Sequence, residues 1–83
     1  MDWAPILREA GRQHRRVRIR FAYPDGDGDG TEYEREMEPY KIENEELVAY
    51  SYYRGAFRTL PLDRIVEVKI RPESFEPRRP VEL

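Results

Sequence analysis

From Val17 to Tyr23 the chain alternates one by one, with Val17, Ile19, Phe21 and Tyr23 set between Arg16, Arg18, Arg20 and Ala22. A period of two predicts a β-strand with one buried face. A second alternating run follows, in which Glu32, Glu34, Glu36 and Glu38 interleave with Tyr33, Arg35, Met37 and Pro39. Two such runs joined by a Gly/Asp-rich tract predict a β-hairpin. Matching the apolar faces sets Ile19 across from Met37 and Phe21 across from Arg35. The same register sets Arg20 opposite Glu36 and Arg18 opposite Glu38. Opposed charges in such pairs contribute about 0.2–1 kcal/mol each and help fix register.

Ahead of the hairpin, Trp3, Ile6, Leu7 and Ala10 recur at helical spacing. Asp2 can cap a helix there, and Pro5 falls in the first turn, where a missing N–H matters little. The spacing predicts a short amphipathic helix over 3–13. Beyond the hairpin, ELVAYSYY and AFRTLPL read as two more strands joined by a two-residue Arg54-Gly55 turn, since glycine supplies the positive φ such turns need. That turn pairs Tyr52 with Phe57, Ser51 with Arg58, Ala49 with Leu60 and Leu47 with Leu62. Pro61 marks a strand edge or end. Asp63-Arg64-Ile65 read as a turn or a single helical turn, and IVEVKI as a fifth strand with Val66, Val68 and Ile70 on one face. The expected fold is mainly β: a small five-stranded barrel or a strongly curled antiparallel sheet with one N-terminal helix. Residues 1–77 form the single domain. Phe75 is expected to tuck against the body, and 78–83 form a C-terminal tail that is either mobile or packed on a neighbour.

Composition narrows the function. With 83 residues, one domain is expected, near the lower limit of what an apolar core stabilises unaided. There is no cysteine, which excludes disulfides, thiolate metal sites and thiol catalysis and makes a reducing compartment the default. No apolar run approaches the roughly 18 residues of a membrane helix, and the N-terminus lacks the apolar core of a secretory signal, so a cytoplasmic location without membrane partners is expected. The net charge of −2 argues against a globally basic nucleic-acid binder, but not against a local basic pocket. All but two of the 15 basic residues are arginine. The arginines at 16, 18 and 20 resemble a nucleic-acid stripe, yet the facing glutamates cancel the field such a stripe would project.

PDGDGDGTEYERE, Pro24 to Glu36, fits the EF-hand loop pattern from Asp25. The flanks reject it. Glu36 is needed on a strand facing an arginine, Glu32 stands where an EF-hand requires an apolar residue, and no helices flank the loop. A hairpin connector is expected instead, with weak cation binding through Asp25, Asp27 and Asp29 as the lesser reading. His14 is the only histidine, and no catalytic triad or metal site can be built on it alone. The acids lie in the glutamate ladder or in loops rather than as a pair in a cleft, so no enzyme and no cofactor are expected.

Five pieces in order then carry a resemblance: VRIRFAY (17–23), REMEP (35–39), ELVAYS (46–51), FRTLPLDRI (57–65) and ESF (73–75). Together they are similar to the WYL domain. The Trp and Tyr of that family's name fall at Glu45 and Glu46, with only Leu47 matching, and one family arginine falls at Pro61. The resemblance implies an Sm/SH3-like small barrel of the kind found in bacterial transcription regulators behind a helix-turn-helix. It also implies that the domain senses nucleic acid or a nucleotide-like molecule through a basic pocket, and can mediate dimer contacts. Arg35, Arg58 and Arg64 are the matching arginines. Losing the arginine at Pro61 implies weaker binding than the family norm.

The residues themselves single out part of that set. Arg35 interrupts an apolar face, and Ser51 and Arg58 share another. An arginine among apolar residues snorkels, pairs, or receives an anion, for which its planar fork is suited. Arg58, Arg35 and Ser51 are therefore the candidate anion-binding residues. Arg64 is added by the resemblance, although a structural pair with Asp63 explains it equally. Tyr50, Tyr52 and Phe57 read as cross-strand packing or a dimer interface, with base stacking as the alternative. Two functions follow: a regulatory binding module for nucleic acid, a nucleotide or another anion, acting with a transcription-regulatory or defence-type partner, or a homodimerisation or protein-interaction module without a small ligand. One short helix cannot form a helix-turn-helix, so any DNA reading belongs to a partner or another part of the protein.

Overall fold

The computed structural model describes residues 1–22 and 31–83; the proposed cation loop at Asp25, Asp27 and Asp29 and the strand position Tyr23 lie outside the described residues. Helix α1 (Ala4–Arg12) is followed by strands β1 (Arg15–Ala22), β2 (Glu32–Glu43), β3 (Glu46–Ser51) and β4 (Ala56–Pro61), a single 3-10 turn (Leu62–Arg64) and strand β5 (Ile65–Ser74). The five strands form one antiparallel sheet in the order β4-β3-β2-β1-β5. Of the two expected forms the sheet takes the open one, since its border strands β4 and β5 do not pair with each other. Each border strand carries a proline, Pro61 on β4 and Pro72 on β5, as the missing N–H requires.

Alternation produces the core directly. Val17, Ile19 and Phe21 of β1 point to one face and are fully buried together with Met37, Leu47, Ala49 and Leu60. Leu7 and Ala10 of α1 cover that face, and Trp3 closes it by donating from Nε1 to the Ile65 carbonyl at 3.1 Å. A nine-residue helix is marginal alone and persists through this packing. Asp2 accepts the Ala4 N–H at 3.0 Å from one residue ahead of the N-cap, which is Trp3 and makes no side-chain capping bond.

Both hairpin registers are shifted by two residues from those expected, which leaves every side chain on its expected face. In the first, Val17 pairs with Met37, Arg18 with Glu36, Ile19 with Arg35, Arg20 with Glu34 and Phe21 with Tyr33. The shift brings the Phe21 and Tyr33 rings to 6.1 Å, where the expected register offered Phe21 an arginine. The ion ladder exists, but it runs diagonally. Arg20 reaches Glu32 at 3.2 Å and Glu67 at 3.5 Å, Arg16 reaches Glu36 at 3.7 Å, and Arg18 donates to Glu34. That last bond holds the Glu34 carboxyl below its usual range. All of these groups are partly exposed, so they fix register more than they add stability. Glu38 takes no part in the ladder.

In the second hairpin Leu47 pairs with Leu60, Ala49 with Arg58, Tyr50 with Phe57 and Ser51 with Ala56. The turn is four residues long instead of two. Gly55, at φ +65°, donates its N–H to the Ser51 carbonyl at 2.8 Å. The longer turn frees Tyr52 and Tyr53 from the strand for other contacts.

Strand β2 shifts register between Pro39 and Lys41 in its pairing with β3. Such a bulge accommodates a proline inside a sheet. Pairing of β2 with β1 ends at Met37, and further along β2 the tail takes over. Glu82 bridges Lys41, and its N–H donates to the Tyr40 carbonyl at 2.7 Å. Residues 78–83 thus lie along β2. Phe75 is buried, its N–H donating to the His14 carbonyl at 2.9 Å.

Candidate functional site

The odd positions of β2 place Tyr33 and Arg35 on the core face of the sheet, and Arg58 of β4 joins that face opposite Ala49. The four-residue turn adds Tyr53 and Arg54. These five side chains line a cavity of about 200 Å³. The Arg35 guanidinium stacks 3.9 Å from the centre of the Tyr53 ring and 5.4 Å from that of Tyr33, and its Nη1 donates to the Glu34 carbonyl at 3.0 Å. Arg58 is carried 5.6 Å over the ring of buried Phe21. Exposed cation–π contacts of this kind contribute about 0.5–1 kcal/mol each and orient the guanidinium planes. Three guanidinium groups meet around one small hollow in a chain of negative net charge. Their forked donors match phosphate and carboxylate oxygens, and the Tyr53 ring, 71% exposed, has area left to receive a planar ring.

Of the residues singled out from sequence, Arg35 and Arg58 come together here. Ser51 is fully buried; its Oγ accepts the Arg54 N–H at 3.3 Å, so it holds the turn rather than lining the cavity. Arg64 is exposed on the 3-10 turn, past the far end of β4, and does not line this cavity. Tyr33, Tyr53 and Arg54 were missed. The signal for Arg54 and Tyr53 lay in the turn length, because a two-residue turn leaves Tyr53 in a strand.

A second polar cluster occupies the opposite face of the sheet. Glu38 is 2% exposed and accepts hydrogen bonds from the hydroxyls of Tyr40, at 2.6 Å, and of Tyr52, and from Arg78 Nε at 3.1 Å. The Arg78 N–H in turn donates to the Tyr40 hydroxyl at 2.8 Å. Beside this network lies a hollow of about 460 Å³ bordered by Arg16, Ser74 and Phe75. Tyr50 and Phe57 pack edge to face at 5.4 Å, with Arg78 3.7 Å above Tyr50 and Arg79 3.9 Å above Phe57. The three aromatic residues expected to form an interface, Tyr50, Tyr52 and Phe57, are thus in contact with the chain's own tail or with Glu38. A third hollow, of about 470 Å³, is lined by Trp3, Asp2, Glu45, Glu46 and Asp63 among others, and its carboxyl groups repel an anion.

Burial raises the Tyr40 hydroxyl to about 12, with the Glu38 carboxyl adding to the effect and the Arg78 N–H opposing it. Burial, then the hydrogen bond to Glu38, raises Tyr52 to about 12 as well. An unfolded tyrosine titrates near pH 10, so the fold favours the protonated phenols. Their contribution is fully present below about pH 10 and is lost as pH rises towards about 12. The urea midpoint should therefore hold level up to about pH 10 and fall above it. The fall should be smaller in Tyr52→Phe and Tyr40→Phe, and equal slopes in all three proteins would contradict the assignment.

The sequence model of the WYL domain matches residues 3–70. Among solved structures, the chain is similar to proteasome accessory factor B/C (PafBC) of Arthrobacter aurescens, with a TM-score of 0.73 and 20% identity over 84% of this chain. The likeness covers 11% of that protein's chain and, at this identity, concerns the fold alone. No curated protein matches the chain by sequence.

Proposed function

The chain belongs to the WYL-domain family, and from this we propose that it is a ligand-sensing regulatory module that binds a nucleic-acid or nucleotide-like anion through Arg35, Arg54 and Arg58. The observation that carries the reading is the convergence of these three arginines with Tyr33 and Tyr53 on one cavity. The guanidinium groups receive the phosphate, the exposed Tyr53 ring offers a face to a base, and Ser51 holds the turn that presents Arg54. Arg64 has no part in this site. The role is binding without catalysis, in the cytoplasm, coupled to a transcription-regulatory or defence-type partner. The alternative, an interaction module working through Tyr50, Tyr52 and Phe57, meets a face on which the chain's own tail lies.

Fluorescence anisotropy with a labelled short single strand and with a labelled nucleotide, at low salt, tests the reading. Losing one charge-assisted contact of about 1.5–3 kcal/mol weakens binding roughly tenfold to a hundredfold. Arg58→Ala and Arg35→Ala should each show such a loss, and Arg64→Ala should bind like wild type. Unchanged binding in Arg58→Ala removes the site.

A further inference from the structure

Residues 77–83 run from the outer face of the sheet to the last turn of α1, away from the arginine cavity. Their grip is made of discrete polar contacts. Arg78 gives Nε to the buried Glu38 at 3.1 Å and its backbone N–H to Tyr40 at 2.8 Å, while its guanidinium lies 3.7 Å over the Tyr50 ring. Arg79 lies 3.9 Å over Phe57. Glu82 donates its N–H to the Tyr40 carbonyl at 2.7 Å, and the Leu83 carbonyl accepts from Arg12 Nε at 3.3 Å. Gly11 of α1 makes room for the Leu83 side chain, since a Cβ there would fall 2.1 Å from Leu83 Cδ1.

The asymmetry of burial is informative. Of the tail, Pro77 to Pro80 and Glu82 are exposed, and only Val81 and Leu83 are even half-buried. Beneath it, Tyr40 is 1% exposed and Glu38 2%. The receiving surface offers one carboxyl group set among tyrosines, with two aromatic faces spaced for two successive guanidinium groups. Among the described residues, Arg78 is the only basic side chain ion-paired with Glu38. What rests on the surface is held by few buried groups, which places it at the low-stability end of the fold.

We propose that this outer face is a docking groove for a peptide segment bearing two adjacent arginines, and that residues 77–83 fill it as a reversible resident that a partner's arginine pair replaces. The chemistry of the occupant follows from the groove. Glu38 selects a cation that can donate sideways while its plane stacks on Tyr50, a combination that arginine meets and lysine does not. Backbone pairing to β2 at Tyr40 sets the direction of the segment. Attachment gives the resident tail a high effective concentration, so a free competitor binds the intact chain poorly until the tail is released.

The test uses the full chain carrying Arg78→Ala and Arg79→Ala, titrated with a labelled peptide of the sequence Pro-Arg-Arg-Pro-Val-Glu-Leu. Saturable binding to the double variant, at least tenfold tighter than to wild type, is expected. The same peptide with alanines for its arginines should not bind. A double variant with native near-ultraviolet circular dichroism that fails to bind the peptide overturns the proposal, as does equal binding to both chains. Hydrogen exchange on the wild-type chain provides an independent measurement should the variant not fold. The Arg78 and Glu82 amides should exchange at least tenfold faster than that of Ile19 in β1. Exchange as slow as that of Ile19 would make the tail an integral part of the domain and end the idea of displacement.

Discussion

Phe21→Ala lowers the free energy of unfolding by about 3–5 kcal/mol, the range for truncating a buried aromatic ring. Phe21 is fully buried in the middle of the core, beside Tyr33 and beneath Arg58. A domain of this size has on the order of 4–12 kcal/mol in total, so the variant gives up roughly half of its stability. Its thermal midpoint should fall by roughly 15–30 °C. Thr59→Ala, at an exposed position on β4, should change stability by less than about 0.5 kcal/mol. Urea denaturation of both variants checks the pair, and a Phe21→Ala loss under about 1 kcal/mol would mean that the core is not centred on β1. Because the ring also underlies Arg58, whatever Phe21→Ala remains folded should bind anions more weakly.

Glu38→Ala is expected to be the second most damaging change, at about 2–4 kcal/mol. It removes the shared acceptor of Tyr40, Tyr52 and Arg78 at a site that water scarcely reaches. Two phenol hydroxyls lose their partner, and the guanidinium over Tyr50 loses its counter-charge. Arg78 is well exposed, so its share is discounted and most of the loss belongs to the tyrosines. Glu38→Gln keeps one acceptor oxygen and should lose about half as much. Chemical denaturation of the two variants decides the point: equal stability of Glu38→Ala and wild type would show that the network is incidental.

Much of the fold could be read from side-chain period. Alternation placed the five strands and the faces of the first four, because one buried face per strand is a local property; in β5 a register shift against β1 buries Ile65 with Val68 and leaves Val66, expected beside Val68, exposed. Register escaped, by two residues in both hairpins, because it depends on turn length and on contacts between distant residues. Tyr33 against Phe21 and Leu47 against Leu60 are such contacts. Glu38 is the clearest failure of local reading. Its alternation with Met37 and Pro39 marks it as one more rung of an exposed ladder. Tyr52 of the longer turn and the tail, some 40 residues later, cover it. Strand β5 likewise continues to Ser74, four residues past the end of its apolar alternation, because pairing with β1 sustains it there. Arg35 and Arg58 were legible as arginines on apolar faces. Arg54 and Tyr53 were not, because a loop residue announces no face.

The unclosed sheet leaves two strands whose outer backbone could recruit a like strand from another molecule, the usual beginning of fibrillar growth. Pro61 and Pro72 interrupt both, each leaving a position with no amide hydrogen to extend a ladder. The two prolines thus work against edge-to-edge pairing at the margins of the sheet, the part that closure plays in a barrel.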